Sequence, residues 1–249
     1  MDKSSPAAPA PPANGNKDKN VVLLRQADVL ITGELATRSR KTSDLDAEAA
    51  ALLELAALTA EQPEAAVQRF LEHAIALCGA GSAGLSLIEE RGGHRRAFRW
   101  DALAGPLAGQ GGEAAPFDFS PCGLCLAAGR PTLVNRPSRA FGYLETLAPA
   151  VMEGLITPLY DTGGVPLGTL WVVHHDAERR FDAEDARVME QLAGLLVVAV
   201  KLRAARRQSG AVAVPKDAFV ASARQTASPR PAEAVLRDAE GLEIGRAHV

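Results

Sequence analysis

The chain has 249 residues, 47% of them hydrophobic and 23% charged, with a formal net charge of −3. That is enough apolar material for one sizeable core, and too little chain for a sensor domain plus a complete catalytic domain. The slight negative charge excludes the overall basic field of a nucleic-acid-binding protein, and three cysteines (Cys78, Cys122 and Cys125) are no disulfide framework and suit a reducing cytoplasm.

The opening M-D-K-S-S-P-A-A-P-A-P-P lacks the apolar core of a signal peptide. No apolar run reaches the ~18–20 residues of a membrane span, so no membrane contact is expected. Residues 1–34 read as a disordered leader, although V-V-L-L at 21–24 forms a small apolar cluster without an assigned place. Asp44 or Asp46 caps a helix through Ala60 that carries Leu52, Leu53, Leu55 and Leu58. Its outward apolar positions either pair with the same helix of a partner chain or pack on their own domain. Pro63 opens a second helix, with Val67, Phe70, Leu71, Ala74 and Ile75 at spacings of three and four, closed by Gly79 and Gly81. Cys78, at its end, reads as a small core residue.

Residues 83–89 and 95–101 read as a hairpin, with Phe98 and Trp100 on one face of the second strand. Residues 102–119 are rich in Gly and Ala and read as a long irregular loop of the kind that binds ligands. Pro121 opens a short helix, 131–135 is a short strand, and Ser138 can cap a further short helix. The strongest signal lies between Glu153 and Asp185. Two apolar runs, E-G-L-I-T-P-L-Y and V-P-L-G-T-L-W-V-V-H-H, flank D-T-G-G and form a hairpin covered on both faces. A long exit helix runs from Ala183 to about Arg207, with Leu192, Leu195, Leu196 and Ala199 as its stripe. Asp182, Glu184 and Asp185 at its start are explained by capping and the helix dipole.

Four stretches carry a family resemblance: A-G-S-A-G-L-S-L (80–87), F-S-P-C-G-L-C-L (119–126), L-I-T-P-L-Y…G-V-P-L-G-T-L-W-V-V-H-H-D (155–176) and R-R-F-D-A-E-D-A-R-V-M-E-Q-L-A (179–193). Over residues 35–207 the chain resembles a GAF domain, of the group found as N-terminal sensor of bacterial histidine kinases. The resemblance implies an α+β fold, with a central antiparallel sheet, long helices on one face, and a ligand pocket roofed by short helices and loops on the other. It implies a non-catalytic sensory module of two-component type, acting through a homodimer on a downstream kinase or output domain. The ligand and any cofactor stay open. Residues 208–249 read as a disordered tail. There K-D-A-F-V-A (216–221) resembles the segment before a phosphoacceptor histidine, with Gln225 standing where the histidine would fall. The last seven residues, E-I-G-R-A-H-V, can be encoded by a common sequencing adapter read in frame and are expected not to be biological.

The expected ligand-binding residues are Phe119, Cys122, Phe141 and Tyr143 from the roof, with Trp100 and His174 from the strands. Strand alternation puts Trp171 and His174 on opposite faces, and the polar His174 is assigned to the pocket, with Trp171 under the helices. Cys122 and Cys125 form one C-x-x-C, short of the about four ligands of a structural zinc site, so no metal is expected. They leave an alternative open, a thiol-based redox enzyme or sensor resembling the GAF-fold methionine sulfoxide reductases. His174 and Asp176 have no nucleophile in a recognisable relation to them, so no catalytic residue is assigned.

Overall fold

The computed structural model describes residues 26–92, 95–111 and 114–211. The two compact units are Met1–Ala204 and Ala205–Val249; described residues of the second are the last turns of a helix. The segments around Gln225 and the last seven residues lie outside the described residues.

Six strands form one antiparallel sheet: β1 (Ser82–Arg91), β2 (Arg95–Ala104), β3 (Ala114–Pro116), β4 (Thr132–Asn135), β5 (Glu153–Tyr160) and β6 (Pro166–His174). Their order is β3-β2-β1-β6-β5-β4, so β6 is flanked by β1 and β5, as its unbroken apolar run requires. The β5–β6 turn is built on Asp161, whose Oδ1 accepts from the backbone N–H of Gly163 and Val165, both at 2.9 Å. Gly164 alone of the two glycines takes a positive φ, 76°.

One face of the sheet is covered by α1 (Leu45–Glu61), α2 (Pro63–Cys78) and α4 (Ala183–Ala211). Leu55, Phe70, Leu71, Met189 and Leu196 meet Leu85, Leu155, Leu170 and Val172 in the larger core. Asp44 caps α1 by accepting from Ala47 N at 3.0 Å. Asp182 caps α4 through Glu184 N and Asp185 N, and Asp185 accepts in return from Asp182 N at 2.9 Å. Lys41 ties this turn to the preceding chain by an ion pair to Asp185 at 2.8 Å.

The opposite face carries a roof of short pieces: 3-10 turns at Gly105–Gln110, Pro137–Arg139 and Gly142–Thr146, and α3 (Pro121–Ala128). The expected loop 102–119 is thus partly regular, because β2 runs on to Ala104 and Ala114–Pro116 pairs with β2. Ser138 makes no cap; the backbone there forms 3-10 turns without side-chain capping. The expected leader also ends sooner than residue 34. Val29 is fully buried against the roof, Leu30 bridges to Val134, and Thr32 Oγ1 accepts from Leu133 N at 3.0 Å. This segment covers the open edge of β4, a use its mixed composition does not advertise.

Candidate functional site

Sheet alternation sorts the side chains. On β6, Leu170 and Val172 point into the helix-side core, while Trp171 and Val173 point to the roof. On β5, Leu155 and Leu159 face the helices and Ile156 faces the roof. On β2, Phe98, Trp100 and Leu103 all face the roof. That break of parity comes from a bulge: Leu85 pairs with Ala102 and Ser86 with Trp100, leaving Asp101 as the extra residue.

Between sheet and roof lies a chamber of about 60 Å³, room for a few water molecules or one small group. Trp100, Trp171, Ile156 and Val173 form its floor, and Leu107, Cys122, Tyr143, Leu144, Leu147 and Val151 its roof. The two indoles meet edge to face, 6.4 Å between centroids. Trp171 lies flat over Gly84, where an added Cβ would stand 2.1 Å from the ring. Its Nε1 donates to Ser86 Oγ at 2.9 Å, which satisfies the buried N–H. No lining residue carries a carboxylate, imidazole, amine or guanidinium.

Of the expected site residues, the structure brings Trp100, Cys122 and Tyr143 into the chamber wall. Phe141 is fully buried behind the wall and packs edge to face on Phe119, 5.2 Å between centroids; neither ring lines the chamber. His174 is on the other face. It is 2% exposed and stacked on Phe181 at 3.9 Å, among the helices, so its assignment to the pocket is corrected and Trp171 takes that place. The alternation itself holds; the choice of face fails. Pairing decides it, because Glu153 stands opposite His174, and its carboxylate is held on the helix side by Arg38 at 2.8 and 2.9 Å and by Phe181 N at 2.7 Å. Burial, then the charges of Lys41 and Arg179, push the His174 imidazole down to about 4.

The sequence reading missed Trp171, Ile156 and Val173 on the floor and Leu107, Leu144, Leu147 and Val151 in the roof as lining residues. Gly84 in the middle of an apolar strand is the signal that a large ring lies over it, although its partner is known only with the register.

Ser120 caps α3 by accepting from Gly123 N at 3.0 Å, which sets Cys122 against the chamber and Cys125 behind it. Both are free thiols. Burial pushes the Cys122 thiol up, against the opposing influence of the Thr169 and Ser86 hydroxyls. Cys125 is pushed up too, by burial and then by Cys122, and its Sγ donates to the Ile156 carbonyl at 3.3 Å. Burial likewise pushes up the Tyr143 phenol. Among the described residues no group of three or more His, Cys, Asp and Glu side chains is placed to hold a metal ion, and no helix is long and apolar enough to cross a membrane.

A small apolar chamber between a six-stranded antiparallel sheet and an irregular roof is the arrangement the motifs led us to expect, and residues 60–201 match the family model of the GAF domain. The chain belongs to the GAF domain family. Among solved structures it is similar to the GAF domain of the Acinetobacter phosphoenolpyruvate-protein phosphotransferase, at 14% identity and TM-score 0.54, covering 66% of this chain and 97% of that one. The GAF domain of the Coxiella burnetii phosphoenolpyruvate-protein phosphotransferase matches at 17% identity and TM-score 0.54, over 68% and 99% of the two chains. The reduced form of fRMsr of Staphylococcus aureus matches at 14% identity and TM-score 0.50, over 65% and 98%. At these identities the likeness is one of fold. No curated protein matches the chain.

Proposed function

We propose that this GAF domain is a non-catalytic sensory module of bacterial signal transduction, of the two-component type. In this reading its chamber receives a small neutral ligand, or relays a conformational change through a homodimer, to a downstream kinase or output domain. The observation that supports it is the chamber wall. Proton transfer needs a titratable group within hydrogen-bond reach of the reacting atom. The wall offers only the Cys122 thiol and the Tyr143 phenol, both pushed up by burial and so protonated at neutral pH. Such a site can bind by shape and apolar contact and shift a conformational equilibrium without reacting. A self-association surface is at hand: Leu45 and Leu53 on α1 are 66% and 74% exposed, and Val198 and Leu202 stand out on α4.

Both tryptophans of the chain line the chamber, so intrinsic fluorescence reports on it directly. Titration with a set of small neutral aromatic and aliphatic compounds should give saturable changes in emission with at least one of them. Ile156→Phe, which fills the chamber, should abolish the response. A set that leaves the emission unchanged, or a response that survives in Ile156→Phe, would count against a ligand-receiving chamber.

The place of Cys122 in the wall favours a second reading, a thiol-based redox enzyme or sensor using Cys122 and Cys125 in the manner of a GAF-fold methionine sulfoxide reductase. Its difficulty is that the thiolate is the reactive form, and burial disfavours it. Mass spectrometry with a thiol label, before and after methionine sulfoxide, separates the two. Retention of all three thiols supports the sensory module, and loss of the Cys122 and Cys125 thiols with reduction of the sulfoxide supports the enzyme.

A further inference from the structure

Outside the chamber, the ends of β4 and β6 carry a second concavity of about 150 Å³. It is lined by Asn135, Arg136, Arg139, Met152, Ala177 and Arg180 and shares no residue with the chamber wall. Three arginines therefore line one small hollow, and no Asp or Glu does. Among the described residues Arg136 and Arg139 have no side-chain hydrogen bond and no ion pair; the structure uses only their backbone groups, Arg136 N on Met152 O at 2.8 Å and Arg139 N on Arg136 O at 3.0 Å. Arg180 donates to the Ala177 and Arg179 carbonyls, and its Nε stands 3.8 Å from Glu153 Oε2. That carboxylate is already gripped by both terminal nitrogens of Arg38, which also pairs with Glu34, so Arg180 is at most a distant second partner of Glu153. Asp176 and Glu178, on the same loop as Arg180, do not line the hollow.

Like charges gathered in a concavity repel one another, and the repulsion is relieved when an anion sits among them. The guanidinium fork matches the oxygens of a phosphoryl group in pairs, and a dianion meets several forks better than a single carboxylate does. The hollow has the size of one such group rather than of a whole nucleotide. Arg180 also borders a larger cleft of about 450 Å³ with Lys41, His174 and Arg179, which extends the positive field beside it.

We propose that Arg136, Arg139 and Arg180, with Asn135, form an oxyanion site that takes one phosphoryl group, either free phosphate or the head of a small phosphate monoester. The place of the site gives binding there a consequence. Arg136 and Arg139 open the roof segment whose Pro137, Tyr143, Leu144, Leu147 and Val151 line the chamber. Arg180 lies in the loop that leads into α4. An anion held between them fastens the roof to the start of the exit helix. The inference stands independently of what the chamber binds.

The test uses the full chain at constant ionic strength, titrated calorimetrically with inorganic phosphate, with phenyl phosphate, and with acetate as a monoanion control. We expect saturable one-to-one binding of phosphate, of phenyl phosphate or of both, and none of acetate. Phosphate tighter than phenyl phosphate identifies the free anion as the ligand, and the reverse order identifies the ester. Affinity should fall about ten-fold for each guanidinium removed, as in Arg139→Gln alone and Arg136→Gln/Arg139→Gln together. Arg69→Gln, a surface arginine already paired with Glu54 and Glu72, should leave it unchanged. Because neither Arg136 nor Arg139 makes a side-chain hydrogen bond or ion pair among the described residues, the variants should melt no lower than the parent without phosphate and should lose the rise in melting temperature that phosphate produces. Absence of saturable binding, equal binding in the double variant, or the same response to acetate would overturn the site.

Discussion

Gly168 sits where the sheet is least able to give way. It lies on β6, opposite Leu87 of β1 on one side and Leu159 of β5 on the other. A Cβ at this position would stand 2.0 Å from the Ser86 carbonyl oxygen and 3.0 Å from Leu87 Cα. The glycine's φ, 156°, is one that L side chains rarely adopt. Because the obstacle is the backbone of a neighbouring strand, no rotamer change relieves it. Relief requires β1 and β6 to part locally, at about 0.5–1.5 kcal/mol for each ladder hydrogen bond weakened. Overpacking a core adds about 1–3 kcal/mol. Gly168→Ala should therefore destabilise the domain by about 2–5 kcal/mol and lower its melting temperature by roughly 5–15 °C. Urea unfolding followed by circular dichroism measures it, with Gly142→Ala as the control, since a Cβ there meets nothing within 4 Å. A change in Gly168→Ala as small as in the control would refute the close approach of β1 and β6.

Three further outcomes follow from the same geometry. Gly84→Ala should push the Trp171 indole off Ser86, shifting the emission maximum to the red and lowering stability by about 1–3 kcal/mol; an unchanged spectrum would mean that the ring does not rest on Gly84. His174 is pushed down to about 4 from 6.5, so between these values the unfolded chain binds the extra proton; stability then rises with pH across that window and is lost as pH falls through it, by an amount on the order of 1–3 kcal/mol. Asp185, pushed up by burial, works in the opposite direction over its own range, so the measurement is the difference between the parent and His174→Gln, which should show a flatter profile from pH 6.5 to 4. Leu53→Glu should convert a dimer to monomer in light scattering without lowering the melting temperature of the monomer, because the side chain is 74% exposed; an unchanged mass would exclude this face of α1 from the interface.

The fold was legible because its signals are local. Apolar spacing at three and four marked α2, and the unbroken apolar runs around D-T-G-G marked β5 and β6 as central. The site was legible in part. Alternation separates Trp171 from His174 but does not say which face is which; that depends on β5, where Glu153 is drawn to Arg38 from a segment 115 residues away in sequence. The instinct that a polar side chain lines a pocket and an indole fills a core fails here. The helix side supplies His174 with an aromatic stack, and the roof side supplies Trp171 with the Ser86 hydroxyl. The N-terminal segment was hidden for another reason. Val29 and Thr32 serve the edge of β4, and an edge-covering segment has no periodicity to read.

The bulge on β2 joins the chamber wall to the exit helix through two adjacent residues. Trp100 faces the chamber, and the next residue, Asp101, is the one the pairing with β1 passes over. Freed from the ladder, Asp101 turns its carboxylate to Arg99 and to Arg203 of α4, where it and Arg203 are both buried. A buried ion pair of this kind is costly to break, because removing one partner strands the other charge away from water. The bulge leaves Asp101 unpaired and interrupts the ladder between β1 and β2 at that point. In the proposed sensory role, a ligand that wedges the indoles apart would act on Trp100 next to that point, and the Asp101 carboxylate would carry the movement to Arg203. The second attachment, Glu153 held by Arg38 and by the backbone of Phe181, fixes the other end of α4 to β5. Buried carboxylates of the sheet thus hold the chain at both ends of α4, Glu153 at Phe181 and Asp101 at Arg203.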